Sequence, residues 1–201
     1  MIQLAATHPD WALGFGDEVW WSRLSQPHCH AWAEGQPLRL VEPAVAKDDP
    51  DPKALAAYGL LLPGAGRTEP EVWLRFSSGR PVSDLTTAFL DWCCAGLAVR
   101  GKTVLLLVWD NASWHLSGTV RRWLRCHNQQ VKREGTGVRI LLCFLPVKSP
   151  WLNPIEPRWV HGKRRVAEPA RLLSADELER RVCQAFHVPR YEHLTITNNA
   201  A

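Results

Sequence analysis

The sequence lacks any apolar run long enough to cross a membrane, and it also lacks a secretion signal. None of the uninterrupted apolar segments in its 201 residues approaches the roughly 18 residues that a membrane span needs. Residues 1–11 do not show the basic start and apolar stretch of a signal peptide. These absences predict a cytoplasmic protein that does not enter a membrane.

The six cysteines follow no pattern typical of a metal site or a disulfide framework. They contain no CxxC pair, and the adjacent His28-Cys29-His30 lacks the ligand spacing of a zinc site. Cys93 and Cys94 fall in an apolar helical pattern typical of a core. Neither a glycine-rich phosphate loop nor a G-x-S-x-G motif is present. We therefore expect reduced thiols, and neither P-loop nor serine-hydrolase chemistry.

Acidic residues are almost missing from one stretch of the chain. Residues 111–165 contain 11 Lys/Arg and 2 Asp/Glu, whereas residues 1–110 contain 9 and 13, and residues 166–201 contain 4 and 5. A basic segment with so few acids is typical of a surface that binds phosphates. A solvated helix face has the same composition, so the charge pattern leaves both interpretations open.

Apolar periodicity predicts an α/β chain with a mixed sheet. Predicted strands lie at residues 11–20, 38–45, 54–62, 71–76, 103–109 and 138–145, and predicted helices at 83–100, 117–130, from 154 onward and at 174–186. The strand at 103–109 is apolar throughout, as expected of a central strand buried on both faces. Predicted helix N-caps are Ser83, Asn153 and Ser174, the last in a capping box with Glu177.

Three acidic residues stand out by their context. Asp17 and Asp110 follow apolar strands, and Glu156 opens a helix after a proline-rich turn. Buried carboxylates are costly unless they are paired, protonated or bound to metal, and oxygen ligands select hard cations such as Mg²⁺ or Mn²⁺. Two such ions can activate the attacking oxygen and stabilise the leaving oxygen of a phosphodiester. From spacing alone, each acid is equally compatible with an ordinary strand-end or cap residue.

The segments around these acids resemble the three catalytic blocks of a known family. The strings GFGDEVWW, LLVWDNASWH and KSPWLNPIEPRW are similar to the blocks of the mariner-like insertion-sequence transposases, in the DDE superfamily. The string S-P-x-L-N-P-I-E is the most specific, D-N-A-S-x-H is also strong, and D-E after an apolar strand is weak. The resemblance extends from about residue 11 to residue 165.

The resemblance implies an RNase H-like fold, a mixed sheet flanked by helices. It implies metal-dependent cleavage of DNA followed by strand transfer in DNA transposition. Asp17, Asp110 and Glu156 match the residues that carry out catalysis and bind metal in that family. The expected cofactor is Mg²⁺ or Mn²⁺, with two ions at the site. The expected partners are transposon ends and target DNA.

Neighbouring residues match supporting positions of the same blocks. Asn111 and His115 are expected to orient Asp110 or to touch the DNA backbone. For His115, the sequence equally supports the interpretation that it is an ordinary residue at the start of a helix. Asn153 is expected to cap the following helix and so to aim its first carboxylate. Glu18 is adjacent to the first acid, so on a strand it points to the opposite face unless a bulge intervenes.

The basic segment supplies the candidate phosphate contacts, although a solvated helix end competes as an explanation for any single residue. The candidates are Arg121, Arg122, Arg125, Lys148, Arg158, Lys163, Arg164 and Arg165. Trp114, Trp151 and Trp159 lie around the motif blocks. They are expected to stack on an unpaired base or, for at least two of them, to pack in the core.

Two features depart from the family pattern. The 45 residues between Asp110 and Glu156 exceed the usual spacing, and the polar stretch 128–137 is predicted to hold the excess as a surface loop. Family members carry a helix-turn-helix region before the first catalytic strand, whereas only Met1–Asp10 precede it here. We therefore expect a catalytic half without that region.

The expected organisation is one catalytic domain over residues 1–201, with a core at about 11–165 and a C-terminal helical extension at 166–201. The expected active complex is a homodimer at the nucleoid in the cytoplasm, with a helix-turn-helix half that a separate frame encodes. Two alternatives stay open. One is an inactive or truncated DNA-binding remnant, and the other is an RNase H-like nuclease without strand transfer.

Overall fold

A computed structural model describes residues 2–24, 31–33, 36–38, 45–64, 69–168 and 171–196 of the chain. The described elements, in chain order, are α1 (Ile2–Thr7), β1 (Trp11–Ser22), β2 (Ala31–Ala33), β3 (Gln36–Leu38), β4 (Ala54–Leu62), β5 (Glu71–Ser77), α2 (Ser83–Val99), β6 (Val104–Trp109), α3 (Gly118–Glu134), β7 (Arg139–Phe144), a 3₁₀ turn (Pro150–Leu152), α4 (Glu156–Val166) and α5 (Ala175–Phe186).

β1 lies at the centre of a five-stranded sheet with the order β5-β4-β1-β6-β7. On one side it pairs antiparallel with β4, which in turn pairs antiparallel with β5. On the other side it pairs parallel with β6, which pairs parallel with β7. β2 and β3 form a separate hairpin. The mixed sheet predicted from the alternation of strands and helices is therefore confirmed.

Each face of the sheet holds its own apolar core, since side chains alternate along a strand. On β1, Ala12 faces the core formed with α2 and α3, whereas Phe15, Val19 and Trp21 face the core formed with α4 and α5. All residues of β6 are buried, as its continuous apolar sequence predicts. The sheet is thus covered by helices on both faces.

The predicted surface loop at residues 128–137 is wrong, because most of it belongs to α3. The side chain of Asn128 fastens this helix to β7: its Nδ2 donates to the carbonyl of Ile140, and its Oδ1 accepts from the N–H of Ile140, both at 2.8 Å. The helix ends at Gly135, which has the left-handed φ of 68° that glycine tolerates best. The polar residues that suggested a loop are mostly exposed on the helix.

Helix starts differ from the prediction in two details. Val82, not Ser83, is the N-cap of α2; the hydroxyl of Ser83 instead donates to Ser117 at 2.8 Å. Ser174 is confirmed as the N-cap of α5 and accepts from the N–H of Glu177. The Glu177 carboxylate forms an ion pair with an arginine rather than a bond back to Ser174, so the reciprocal half of the capping box is missing.

Cys93, Cys94 and Cys183 are buried, and the five cysteines that the structure describes are all free of disulfide bonds. No helix in the described part of the chain is long and apolar enough to cross a membrane. Two predictions fall outside the described residues: His28-Cys29-His30, and the strand at 38–45 apart from its first and last residues.

Candidate active site

Asp17 and Asp110 lie near the same edge of the sheet and on the same face. β1 and β6 run parallel, with Phe15 paired to Val108. Each acid lies two residues beyond that pair, so both strands direct their acids toward the face that Phe15 and Val108 share. Asp110 directly follows β6, as predicted. Asp17 lies in the middle of β1 rather than near its end, because β1 continues alongside β4 after its pairing with β6 ends.

Glu156 is the first residue of α4, which packs on the same face of the sheet. Ile155 and Trp159 are 0% and 3% exposed and belong to the core of that face. Gly59 lies opposite Asp17 on β4, and a Cβ atom there would be 2.4 Å from the Trp159 ring. The missing side chain lets the indole lie against the sheet, where its Nε1 donates to Asp17 Oδ2 at 2.9 Å.

Asn153 does not cap α4, contrary to the prediction. The N-cap is Ile155, which makes no side-chain cap bond. Asn153 is buried, and its Nδ2 donates to the carbonyl oxygen of Gly16 at 3.0 Å. Its Oδ1 accepts only a long bond of 3.4 Å from the N–H of Ile155. Because Gly16 precedes Asp17, Asn153 ties the turn before α4 to the strand that carries the first acid.

The three acids lie within electrostatic range of one another. Burial raises the pKa of Asp17 to about 7, the charges of Glu156 and Glu18 add to the shift, and the indole hydrogen bond opposes it. Burial also raises the pKa of Glu156, which the charge of Lys163 lowers and that of Asp110 raises further. The structure therefore brings together the three acids selected from the sequence.

We expect Asp17→Asn to stabilise the metal-free protein more at pH 8 than at pH 5. The pKa of Asp17 is raised from 3.8 to about 7, so between these values the folded state holds a proton that the unfolded state releases. The free energy of unfolding then falls as the pH rises through this window. Above pH 7 the full cost of ionising the buried Asp17 carboxyl is present, on the order of 4 kcal/mol, and asparagine removes this cost. Urea unfolding in EDTA measures the difference.

Asp91→Asn is the matched control, because Asp91 is exposed on α2 and its replacement makes the same change in charge. We expect it to alter the free energy of unfolding little at either pH. An equal gain for Asp17→Asn at both pH values would contradict the raised pKa.

His115 connects Asp110 to Glu18 across the edge of the sheet. The ring is 0% exposed and lies against Trp109, with ring centroids 3.6 Å apart. Its Nδ1 donates to Asp110 Oδ1 at 2.7 Å, and its Nε2 donates to Glu18 Oε1 at 2.9 Å. Carboxylates only accept hydrogen bonds, so both ring nitrogens carry a proton.

These hydrogen bonds determine the protonation states of His115 and Asp110. Burial by itself lowers the pKa of His115, but the hydrogen bonds to Asp110 and Glu18 outweigh it and raise the pKa to about 9. In return, the hydrogen bond from His115 lowers the pKa of Asp110, despite partial burial. Asp110 is therefore ionised at neutral pH, where Asp17 is only partly ionised.

Glu18 points to the opposite face of the sheet from Asp17, as strand alternation predicts. Its Oε2 accepts from Trp114 Nε1 at 3.1 Å, while its Oε1 accepts from His115. Glu18 therefore does not join Asp17; it reaches the other aspartate through the histidine.

Asn111 braces the loop that follows β6. Its Nδ2 donates to the carbonyl oxygen of Leu145 at 2.6 Å, which ties the end of β6 to the end of β7. On the preceding residue, Asp110 Oδ1 accepts from the N–H of Ala112 at 3.0 Å. The loop therefore holds Asp110 by a backbone bond in addition to His115.

The basic residues expected to contact DNA are exposed and lie on three elements. Arg121, Arg122 and Arg125 lie on α3, Lys148 on the loop after β7, and Arg158, Lys163, Arg164 and Arg165 on α4. Since α3 and α4 cover opposite faces of the sheet, these residues are divided between the two faces. Lys163 is two helical turns from Glu156 on the same side of α4, and its positive charge lowers the pKa of Glu156.

A groove of about 880 Å³ lies away from the three acids. It runs along the outer edge of β5 between α2, α4 and the segment after α5. Arg158, His161 and Arg165 line it, on the side of α4 that helical periodicity turns away from Glu156. The acids lie outside this groove, and Asp110 is 43% exposed. An accessible site of this kind suits a long polymer better than a small enclosed ligand.

Sequence reasoning missed two residues that shape the site. Trp159 was expected to stack on a base or to pack in the core; it is buried in the core, and it also donates to Asp17. Gly59 was overlooked, although a glycine inside an apolar strand is a signal of close approach. Of the other tryptophans near the blocks, Trp114 is half-buried, whereas Trp151 is 73% exposed and has a ring face free for stacking.

The donor chemistry of the three acids fits a hard divalent cation, which prefers carboxylate oxygens. Burial is the main cause of the raised pKa of Asp17, and the charges of Glu156 and Glu18 add to it; a cation at this position would favour the ionised carboxylate. Within the described residues, no group of three or more His, Cys, Asp or Glu side chains forms a ready-made metal cluster. The acids therefore fit a metal ion by their chemistry and charge, and binding it requires their side chains to draw closer together.

Residues 85–179 match the model of a family described as DDE superfamily endonuclease. This span contains Asp110 and Glu156 and begins after Asp17. A comparison with curated proteins found no match to the chain.

Solved structures with a similar fold are transposase complexes. The Mos1 transposase paired-end complex with left transposon end matches with a TM-score of 0.58 and 16% identity, over 88% of this chain and 48% of the other. The Mos1 strand transfer complex matches with a TM-score of 0.54 and 15% identity, over 88% of this chain and 47% of the other. The Mos1 mariner paired end complex with Mn matches with a TM-score of 0.58 and 14% identity, over 88% of this chain and 48% of the other.

At these identities the likeness shows the fold alone, and it confirms the predicted RNase H-like mixed sheet flanked by helices. The chain spans about half the length of the chains it matches.

Proposed function

We propose that this chain is a member of the DDE superfamily of endonucleases and acts as the catalytic domain of a DNA transposase. Its reaction is metal-dependent DNA strand cleavage followed by transfer of the cut end into target DNA. The observation that carries the proposal is the meeting of Asp17, Asp110 and Glu156 near one edge of the sheet. The family match over the second and third acids supports it, as does the transposase-like fold.

Each acid has a distinct role in this proposal. Asp110 offers an ionised carboxylate at neutral pH because His115 donates to it. Asp17 is only partly ionised near neutral pH, and it would release its proton on binding a cation. Glu156 approaches from α4, so its position depends on how that helix packs on β1. When bound, two Mg²⁺ or Mn²⁺ ions supply activation of the attacking water or 3′-hydroxyl and stabilisation of the leaving oxygen.

The exposed basic residues give the proposed contacts with the DNA backbone. Lys163 shares a side of α4 with Glu156, so it is placed to meet phosphates next to the cleaved bond. The three arginines of α3 and the remaining basic residues of α4 meet the DNA farther from the acids. Trp151 lies in the 3₁₀ turn before α4 with its ring exposed, and it stacks on an unpaired base.

The proposed partners are transposon ends, target DNA and a second copy of the chain. The similar structures are named as a paired-end complex with a transposon end and as a strand transfer complex, which supports the choice of DNA and of a paired arrangement. A separately encoded helix-turn-helix half would supply recognition of the ends. The proposed location is the nucleoid of the cytoplasm.

A strand-transfer assay tests the function directly. The probe is a duplex with a free 3′-hydroxyl, taken from the DNA that flanks the gene, mixed with a supercoiled plasmid and Mn²⁺. We expect joined products that EDTA abolishes. Nicking of the plasmid without joining would identify an RNase H-like nuclease instead. Binding that weakens steeply with salt, without any cleavage, would identify an inactive DNA-binding remnant.

A further inference from the structure

Glu18 is a buried acid that the proposed reaction does not yet use. Its side chain is 7% exposed, and both of its oxygens are engaged: one accepts from His115 and the other from Trp114. It lies next to Asp17 in sequence but on the other face of the sheet. A buried carboxylate is costly unless its partners hold it in the charged form, so its placement calls for a role.

The hydrogen bonds form a continuous connection from Glu18 to Asp110. His115 contributes both ring nitrogens, at 2.9 Å to Glu18 and 2.7 Å to Asp110. One face of the ring lies against Trp109, and its edge meets Trp114. The ring therefore cannot turn without losing a hydrogen bond in a place that water does not reach.

Asp110 depends on this connection for its orientation. Its side chain is 43% exposed, and beyond His115 it accepts one backbone bond, from the N–H of Ala112 to the same Oδ1. Oδ1 is therefore occupied by protein donors, which leaves Oδ2 for a cation. If His115 moved, Asp110 would be free to rotate about its side-chain bonds, and Oδ2 would no longer have a defined direction.

We propose that Glu18 is a positioning residue that aims the metal-binding oxygen of Asp110 by holding His115 in place. The inference rests on the proposed metal-dependent function and assigns Glu18 no contact with metal or DNA. Partners that orient the ligands of a metal typically change its affinity by about 10–100-fold when they are removed. In this proposal Glu18 acts on metal affinity through two hydrogen bonds, one from His115 to Glu18 and the other from His115 to Asp110.

The test measures Mn²⁺ binding to the full chain without DNA, from the electron paramagnetic resonance signal of free Mn²⁺. We expect Glu18→Ala to weaken binding by about 10–100-fold. Glu18→Gln should stay within about threefold of the wild type, because an amide can accept from Nε2–H or donate to a bare nitrogen and so keeps the bond in either state of the ring. Circular dichroism checks that each variant is folded.

A second measurement reports the hydrogen bonds themselves. In ¹H–¹⁵N spectra of the His115 ring, the wild type and Glu18→Gln should show both nitrogens hydrogen-bonded, and Glu18→Ala should lose the Nε2 signal. Glu71→Ala is the matched control, since Glu71 is a glutamate of the same sheet that is exposed and paired with Arg100 at the opposite edge. It should leave both the spectra and Mn²⁺ binding unchanged.

Wild-type Mn²⁺ affinity in a folded Glu18→Ala chain would overturn the proposal, as would equal losses in the alanine and glutamine variants. Failure of the wild-type chain to bind Mn²⁺ would overturn it as well. Binding that depends on Glu18 in a chain that cuts no DNA would leave the role of Glu18 standing and reject the transposase function. The two proposals can thus fail separately.

Discussion

Asp110→Ala is expected to reduce the rate of metal-dependent DNA cleavage by about 10³-fold or more. A metal-binding carboxylate supports several kcal/mol of transition-state stabilisation, and each 1.36 kcal/mol corresponds to a factor of ten in rate. Asp110 is the acid whose pKa is lowered by His115, so it is the anion that is present at neutral pH before any metal binds. The nicking rate of a labelled duplex in saturating Mn²⁺ measures the effect.

Two further variants make this result specific. Asp110→Asn keeps the shape and can still accept from the N–H of Ala112, yet it removes the charge, so it should be almost as inactive as the alanine variant. Asp48→Asn removes a charge from an exposed turn and should leave the rate unchanged. A folded Asp110→Ala protein that cuts within tenfold of the wild-type rate would reject the three-acid site.

Gly59→Ala is expected to damage both stability and cleavage without touching an acid. The new Cβ would lie 2.4 and 2.5 Å from two atoms of the Trp159 ring, and a ring that is 3% exposed has no room to swing aside. Overpacking of this kind costs about 1–3 kcal/mol. Since Trp159 bonds Asp17 and shares α4 with Glu156, displacement of about 1 Å is expected to slow cleavage by about 10²-fold. Urea unfolding and the nicking assay measure the two effects.

Gly118→Ala is the matched control, because no atom lies within 4 Å of a Cβ at that position on α3. It should retain full stability and activity. In a Trp159→Leu background the smaller side chain relieves the clash, so the Gly59→Ala change should cost less free energy of unfolding there. An equal cost in both backgrounds would show that the two positions are not coupled and would contradict the predicted clash.

Local patterns were sufficient to predict most of the fold. The apolar run of β6 favoured a strand buried on both faces, and the structure buries all of it. Alternating strands and helices predicted the mixed sheet, because neither element can bury its apolar face alone. Position after an apolar strand selected Asp110, and the surrounding motif blocks selected Glu156.

Predictions failed where a polar residue is compatible with more than one structural role. Asn153 and Ser83 have the chemistry of helix caps, but the structure commits their side chains to distant partners, Gly16 and Ser117. The polar stretch after Asn128 suggested a loop, since polarity cannot separate a loop from the exposed face of a long helix. Asn128 then binds β7 and supports the longer helix.

The sequence by itself determined most of the strands and helices and selected the three acids, because periodicity between near neighbours and the short motif blocks are local features. Tertiary structure alone decided how the acids are held. The bond from Trp159 to Asp17 joins residues 142 positions apart, and the bond from His115 to Glu18 joins residues 97 apart. Such pairs depend on the packing of α4 and of the β6–α3 loop onto β1, which no local pattern records.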